Sequence, residues 1–404
     1  MTDTPSWNPL DPDFLRDPYP HYARLRSEDP VHRTPFGPMI VSRYDDAYQV
    51  LRDPTTSVKR SSSSGVVPDH MEPLEQRRME RAPSILGLDP PDHTRLRKLV
   101  QRTFTPRSIN KMRSQTELIV DSLLDALTGR EIIDLIADYA FVVPFTVIHT
   151  MLGLPEADTV KVREWSGALT QTLEPFLTPE QVAAAVSAGQ RMDAYLTEAI
   201  EWKRREPADD LLTGLIQVEE EGDRLDSDEL LSMVGLLFIA GHETTVNLIG
   251  NGTHALLCHP EQFELARTGQ VDDETMTEEL LRYDSPVQTS GRRLTQDTVI
   301  GGIEVAADEL VLTALGSANR DEAFWGDTAA DLDLTRDDAA RHVSFGSGVH
   351  HCLGAALARM EGQIAISRLV RRFPELALVE EPTINARIIL RGRGILPVSL
   401  GTTA

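Results

Sequence analysis

The sequence predicts a mainly α protein with a few small β-elements. Apolar residues recur at helical spacing almost continuously from Asp92 onward. The runs that read as strands are short and do not alternate with helices as βαβ units would. Prolines crowd the start of the chain, with 14 of 25 before position 92. Irregular structure therefore collects there.

Composition sets the outer bounds. The chain has 404 residues, 41% hydrophobic and 25% charged, which is ordinary for a globular protein and excludes a disordered or fibrous one. At this length a chain buries about three quarters of its unfolded surface and needs no metal or disulfide staple. With no evident linker, one domain over 1–404 is expected, its portion over about 1–91 β-rich and its portion over about 92–404 α-rich. Forty basic residues face 63 acidic ones, a net charge of −23. Such a surface repels phosphate backbones and anionic lipid, so no nucleic-acid partner is expected. Two cysteines, Cys258 and Cys352, allow no disulfide framework. The N-terminus has acids where a secretion signal has lysines. The longest apolar stretch, Leu230 to Gly241, is broken by Ser232 and falls short of the roughly 20 residues that cross a bilayer. A cytoplasmic protein without a membrane anchor is expected.

Element by element, Pro38–Ser42 reads as a strand. The serines 61–64, followed by Gly65, read as a flexible loop reaching toward Pro83. Helices are predicted from Asp92 through Val100, from Leu118 to Leu127, and near 158–173, 179–204 and 208–218. A long apolar helix over 227–258 is announced by Asp226, with Glu229 three residues later as a capping partner. Between the last two, Glu219–Asp223 reads as a solvated turn. A helix over 273–283 follows. Thr298–Ile300 and Ile303–Val305 flank Gly301-Gly302 as a hairpin, and a last long helix covers 353–372.

Chemistry concentrates in one stretch, Phe345-Gly346-Ser347-Gly348-Val349-His350-His351-Cys352-Leu353-Gly354. Strong helix formers follow it, so Cys352 sits at or just before a helix N-terminus, where backbone N–H groups favour a thiolate. The glycines permit a bulged backbone and close approach of a large flat ligand. Such a thiolate can be a nucleophile, a zinc ligand or a haem axial ligand. The spacing F-G-x-G-x-H-x-C-x-G sets it apart from a merely packed cysteine, whereas Cys258 reads as a helix-end residue. A second signal lies inside the long helix. Ala240-Gly241-His242-Glu243-Thr244-Thr245 puts an acid and two threonines where an apolar interior is expected.

The cysteine stretch resembles the haem-thiolate loop of the cytochrome P450 family, in its soluble bacterial branch. The resemblance covers nearly the whole chain, with every supporting motif in the expected order. It implies the P450 fold, a triangular α-rich domain with haem b (iron protoporphyrin IX) between the central long helix and the cysteine-loop helix. The portion over about 92–404 then becomes the haem-binding part. Cys352 is implied as the metal's axial ligand, with Phe345, Gly346, His350 and Gly354 shaping the cofactor loop. His93 and Arg97, one turn apart on one helix face, and Arg292 match the family's propionate-binding positions, with His350 as a fourth. Glu243 is implied to relay protons and Thr244 to guide them to bound dioxygen. Glu279 and Arg282 match the family's E-x-x-R pair, which Arg336 joins in a structural network. The sequence departs from the family pattern at Leu332, where phenylalanine is frequent, and at Arg292-Arg293-Leu294 in place of Arg-Val-Ala.

By family position, Phe238, Ile239, Ala240, Gly241, Val287, Gln288, Thr289, Ser290, Ile389 and Leu390 line the substrate pocket near the haem. The Ser61–Leu88 loop and the surroundings of Trp165–Phe176 extend it. Their apolar character points to a lipophilic small molecule such as a steroid, terpenoid, fatty acid or macrolide. The implied activity is monooxygenation, hydroxylation or epoxidation. One oxygen atom of O2 enters the substrate and the other leaves as water, with electrons from a ferredoxin and its NAD(P)H-dependent reductase. Arg95, Lys98, Arg102 and Arg359 are the expected basic docking residues. The alternatives are a peroxide-driven haem oxygenase, whose relatives usually lack the acid–alcohol pair, and a non-catalytic P450-like partner protein, which would be expected to lack the cysteine.

Overall fold

The structure is a computed structural model that describes residues 6–59, 68–155, 159–220 and 223–401, with the backbone alone at 219–220. The predicted serine-rich loop at 61–65 lies outside the described residues. Backbone contacts divide the chain into two compact units, each assembled from separate stretches of sequence.

The first unit comprises Met1–Ser57, Thr116–Val143 and Thr244–Ala404. Its largest sheet has five strands, in the spatial order Val31–Arg33, Met39–Val41, Leu310–Ala314, Thr289–Leu294 and Thr56–Ser57. Met39–Val41 runs parallel to Leu310–Ala314 and the other pairs are antiparallel. One core cluster joins this sheet to the helix Tyr44–Arg52 through Tyr44, Val50, Leu51, Val311 and Trp325. A second gathers Trp7, Phe14, Tyr22 and Leu25 on the other face at Ile40. The hairpin forms in the expected register, Thr298 opposite Val305 and Ile300 opposite Ile303.

The described part of the first 91 residues is more helical than the sequence reading expected. Helices Pro12–Arg16, Tyr19–Glu28, Tyr44–Arg52 and Glu72–Glu80 outweigh strands of two or three residues. The prolines explain this. Pro12, Pro20 and Pro73 each occupy a first-turn position, where the missing N–H costs nothing.

The second unit comprises Val58–Gln115 and Pro144–Glu243. Its longest helix, Pro179–Arg205, starts with a capping box. Thr178 Oγ1 accepts from the Gln181 amide at 3.3 Å and Gln181 Oε1 from the Thr178 amide at 2.8 Å. Asp210 caps the helix Leu211–Gln217 by accepting from the Thr213 amide at 2.8 Å, and its other oxygen meets the buried Lys203 ammonium. In the acidic turn, Glu219–Glu220 pairs with Asp223–Arg224 as a minimal hairpin.

Ser227–Cys258 is a single helix of 32 residues, about 48 Å long at 1.5 Å per residue. Asp226 Oδ1 accepts from the Glu229 amide at 2.8 Å, and Glu229 Oε2 accepts from the Asp226 amide at 3.1 Å. The helix has the bounds the sequence predicts, 227–258. By length and composition alone it could cross a bilayer, but 67% of its most apolar window is buried inside the protein. The apolar surface that signals a membrane span here serves as core. The boundary between the two units falls within it, between Glu243 and Thr244.

Candidate active site

The cysteine loop belongs to the first unit. Gly346 and Gly348 adopt φ of 67° and 70°, where a side chain is strained. The Gly346 amide donates to the Val343 carbonyl at 2.8 Å, and a short 3-10 turn spans Gly348–His350. The chain then folds back, so that the Cys352 amide donates to the Phe345 carbonyl at 2.9 Å. Cys352 is exposed. It stands two residues before Gly354, the N-cap of the helix Ala355–Arg372, and a Cβ on Gly354 would lie 4.0 Å from its sulfur. The dipole end and the unsatisfied amides of that helix favour negative charge on the thiol.

Beneath the loop, Glu279 and Arg282 form a fully buried bidentate pair, with both contacts at 2.7 Å. Arg336 Nε approaches the same carboxylate at 3.3 Å, and the Asp333 amide donates to it at 2.9 Å. The remaining Arg282 donors reach the carbonyls of Asn319, Ala329 and Asp331 at 2.7–2.8 Å. The three residues named from sequence are thus together, one buried carboxylate facing two guanidiniums. Sequence reasoning missed the next network, in which Glu278 pairs with Arg359 at 2.6 and 2.9 Å and lies 3.2 Å from His342. Its only sequence signal was a second acid beside Glu279.

On the strand Thr289–Leu294, adjacent side chains face opposite ways. Arg293 turns outward to Asp308. Arg292 is buried, donating to Ser290 Oγ at 3.0 Å and to the Gly291 carbonyl at 2.7 Å. Of the two arginines, Arg292 is therefore the inward one. Val287 bridges Leu390, and the Gln288 amide donates to the Ile389 carbonyl at 2.9 Å, so four expected pocket residues do meet. Thr289, also buried, opens the strand opposite Ala314. The Gln288 side chain, however, is spent in the core, donating to the Ser285 carbonyl at 2.8 Å and Tyr19 at 3.3 Å. It fixes the loop rather than lining a pocket.

The Ala240–Thr245 motif corrects the pocket expectation further. The helix is mostly buried on either side of the motif. Ala240 is exposed, and Ile239, Gly241, Glu243 and Thr244 are half-buried. Phe238 is fully buried among Phe145, Tyr195 and His242, with ring centroids 5.6–6.5 Å apart. A Cβ on Gly241 would sit 2.9 Å from Ile148 Cγ1, so this glycine serves close helix packing. Ile239 and Ala240 are left as the open apolar face. His242 is fully buried and its Nδ1 donates to the Phe238 carbonyl at 2.7 Å. Burial pushes its pKa down, against the pull of Glu243, so its Nε2, 3.9 Å from Glu243 Oε1, faces that carboxylate as a neutral imidazole nitrogen.

His93 and Arg97 lie one turn apart on the helix Asp92–Thr103, with His93 only 2% exposed. Burial, then the Arg97 charge, lower the His93 pKa, with Asp89 opposing. An imidazole N–H and a guanidinium side by side are two donors that suit an anion with more than one oxygen. Of the four expected docking cations, Arg95 pairs with Asp223 and Glu229, and Arg359 with Glu278. Lys98 and Arg102 are exposed.

The sequence model described as Cytochrome P450 matches residues 274–393. The vitamin D(3) 25-hydroxylase of Pseudonocardia autotrophica is 41% identical over 399 residues, 96% of this chain and 95% of its own. The chain belongs to the cytochrome P450 family. Cytochrome P450 monooxygenase PikC of Streptomyces venezuelae is likewise 41% identical, over 96% of this chain and 92% of its own. Among solved structures, myxobacterial cytochrome P450 CYP267B1 in complex with myristic acid aligns over 98% of this chain and 99% of its own, with 36% identity and a TM-score of 0.87. The protein is therefore a P450 monooxygenase. Enzymes of this family and fold carry iron protoporphyrin IX with a cysteine as axial ligand.

The residues present fit that group. Cys352 is exposed on its loop rather than packed away. A Cβ on Gly346 would meet nothing within 4 Å, which leaves this side of the loop open to a flat ring system. A zinc site needs three or four nitrogen, sulfur or oxygen donors, and among the described residues no group of three His, Cys, Asp or Glu is gathered.

Proposed function

We propose that this P450 monooxygenase oxidises a lipophilic small molecule, with Cys352 as the haem thiolate. We further propose that its electrons come from a ferredoxin and its NAD(P)H-dependent reductase. The observation that carries the assignment is the exposed Cys352, braced by the Phe345 carbonyl at 2.9 Å and placed two residues before a helix cap. When bound, the haem supplies dioxygen activation and oxygen-atom transfer to the substrate.

The chain's own residues bind, orient and move protons. Helix-end amides stabilise the Cys352 thiolate. His93, Arg97, Arg292 and His350 are assigned to the two propionates, where charge-assisted hydrogen bonds hold and orient the group. Ile239 and Ala240 present an apolar wall that positions substrate by burial and excludes water. Glu243, whose Oε1 lies 3.9 Å from His242 Nε2, is assigned to relay protons, and the Thr244 hydroxyl, next along the helix, to guide them. Glu279, Arg282 and Arg336 keep the core beneath the loop rigid. The full chain is read as one functional domain working in the cytosol.

The names of relatives support the substrate class. One acts on vitamin D(3) and another was solved with myristic acid, both lipophilic. The exposed Lys98 and Arg102 support an acidic electron donor docking at the helix Asp92–Thr103. The test is a screen of steroids, terpenoids, fatty acids and macrolides read by the haem spin-state change. Hits are then incubated with NADPH and a surrogate ferredoxin system. Oxygenated product that needs NADPH supports the proposal. Product only with added peroxide would instead favour the peroxide-driven reading, and reversing Lys98 and Arg102 to Glu without slowing reduction at low salt would remove the docking assignment.

A further inference from the structure

Glu278 stands next to Glu279 but faces a different set of partners. It is 4% exposed. Its two oxygens take Arg359 Nε at 2.6 Å and Nη2 at 2.9 Å, a bidentate clamp with both parallel bonds made. His342, buried to 8% exposure, brings Nε2 to 3.2 Å from the same carboxylate. The Ser344 amide donates to His342 Nδ1 at 3.1 Å, which places the imidazole proton on Nε2, toward Glu278. Burial keeps His342 neutral, so the positive charge that balances Glu278 is that of Arg359.

Both partners converge on one ring. The Arg359 guanidinium lies 4.6 Å from the Phe345 ring centroid, within cation–π range. The His342 ring lies 5.6 Å from the same ring, tilted by 46°. Phe345 in turn carries the carbonyl that accepts the Cys352 amide. A buried carboxylate, a guanidinium, an aromatic ring and the cysteine backbone thus form one chain of contacts.

We propose that Glu278 is a positioning residue for the cysteine loop: through Arg359 and His342 it clamps Phe345, and through Phe345 it fixes the backbone that presents the Cys352 sulfur. This rests on the assignment of Cys352 as the haem thiolate. Groups that orient a metal's ligand from behind usually matter about 10–100-fold. Glu278 pairs with Arg359 and His342, whereas Glu279 pairs with Arg282 and Arg336, so the clamp can be varied without removing a member of the structural triad.

The experiment uses haem-loaded protein, reduced and saturated with carbon monoxide. It is held at a temperature where far-UV circular dichroism of every variant stays constant. The readout is the rate at which the thiolate-type Soret band converts to the imidazole-type band. Glu278→Gln and Arg359→Met are each expected to convert about tenfold faster than the unmodified protein. The double variant is expected to convert no faster than the faster single one, because both remove the same clamp. Arg359→Lys keeps the charge, loses the bidentate geometry, and is expected to fall between. Should Glu278→Gln fail to fold, the two Arg359 variants carry the test alone. Conversion at the unmodified rate in the variants, or effects that multiply in the double, would overturn the clamp. An unmodified protein that never gives a thiolate-type band would overturn the Cys352 assignment itself, before any variant is compared.

Discussion

Gly348 lies so close to Leu51 that a Cβ there would sit 2.5 Å from the Leu51 carbonyl oxygen and 3.1 Å from the Arg52 Cα. The cysteine loop is therefore seated on the backbone at the end of the helix Tyr44–Arg52, at a residue whose φ is 70°. Backbone atoms cannot swing aside as a side-chain tip can. Gly348→Ala must pay for both left-handed strain, about 1–2 kcal/mol, and overpacking, about 1–3 kcal/mol. A lowered Tm and a smaller thiolate-type fraction are expected, measured by calorimetry and by the reduced carbon monoxide spectrum. Gly346→Ala carries the strain without the clash, so its loss is expected mainly in haem content per folded protein.

Phe238 and Ala240 separate stability from recognition. Phe238 is fully buried in an aromatic cluster, whereas Ala240, two residues on, is exposed. Phe238→Ala is expected to cost about 3–5 kcal/mol of unfolding free energy. Ala240→Phe should leave Tm within a few degrees and abolish the spin-state response to the largest ligands. Equal effects of the two on ligand response would contradict the assignment of faces.

Glu361 gives an alkaline signature. It is fully buried on the helix Ala355–Arg372, and burial raises its carboxyl pKa well above the ordinary value, with the Thr245 hydroxyl only partly opposing. A raised acid favours the folded state fully below the unfolded pKa of about 4.3 and loses that contribution as pH rises through the folded value. Glu361→Gln is expected to be more stable than the unmodified protein at pH 8, with the gap closing toward pH 4. A gap that does not change with pH would contradict a buried neutral carboxyl.

His254 works on the acid side. Burial first, then Arg393, push its pKa down to about 4, and Arg393 Nη2 lies 3.0 Å from its Nδ1. A depressed histidine contributes stability above the unfolded pKa of about 6.5, lost as pH falls through about 4. His254→Gln is expected to flatten the stability profile between pH 6.5 and 4 in urea titrations. A profile as steep as the unmodified protein's would assign the acid sensitivity to other groups.

The helices were legible because each carries its own punctuation. Asp226 with Glu229, and Pro260 after Cys258, bound the central helix locally. The five-stranded sheet was not legible. Its strands have two to six residues each and come from segments as distant as Met39 and Leu310, paired by contacts no local pattern records. The stretch Ile136–Leu152, a turn of π-helix leading into an α-helix, was missed because it is apolar on nearly every side and shows no clear periodicity. In the site, motif residues announced by spacing were readable. Glu278 was hidden because its partners, His342 and Arg359, lie 64 and 81 residues away. The orientation of Phe238 and Gly241 needed the packing of Phe145 and Ile148, which sequence order does not reveal.

The most direct test of the central claim is the absorption spectrum of the dithionite-reduced, haem-loaded protein with and without carbon monoxide. A strongly red-shifted Soret band, abolished in Cys352→Ser and Cys352→His, is the predicted result. A band at the imidazole-ligated position, or no haem band in properly folded protein, would contradict it.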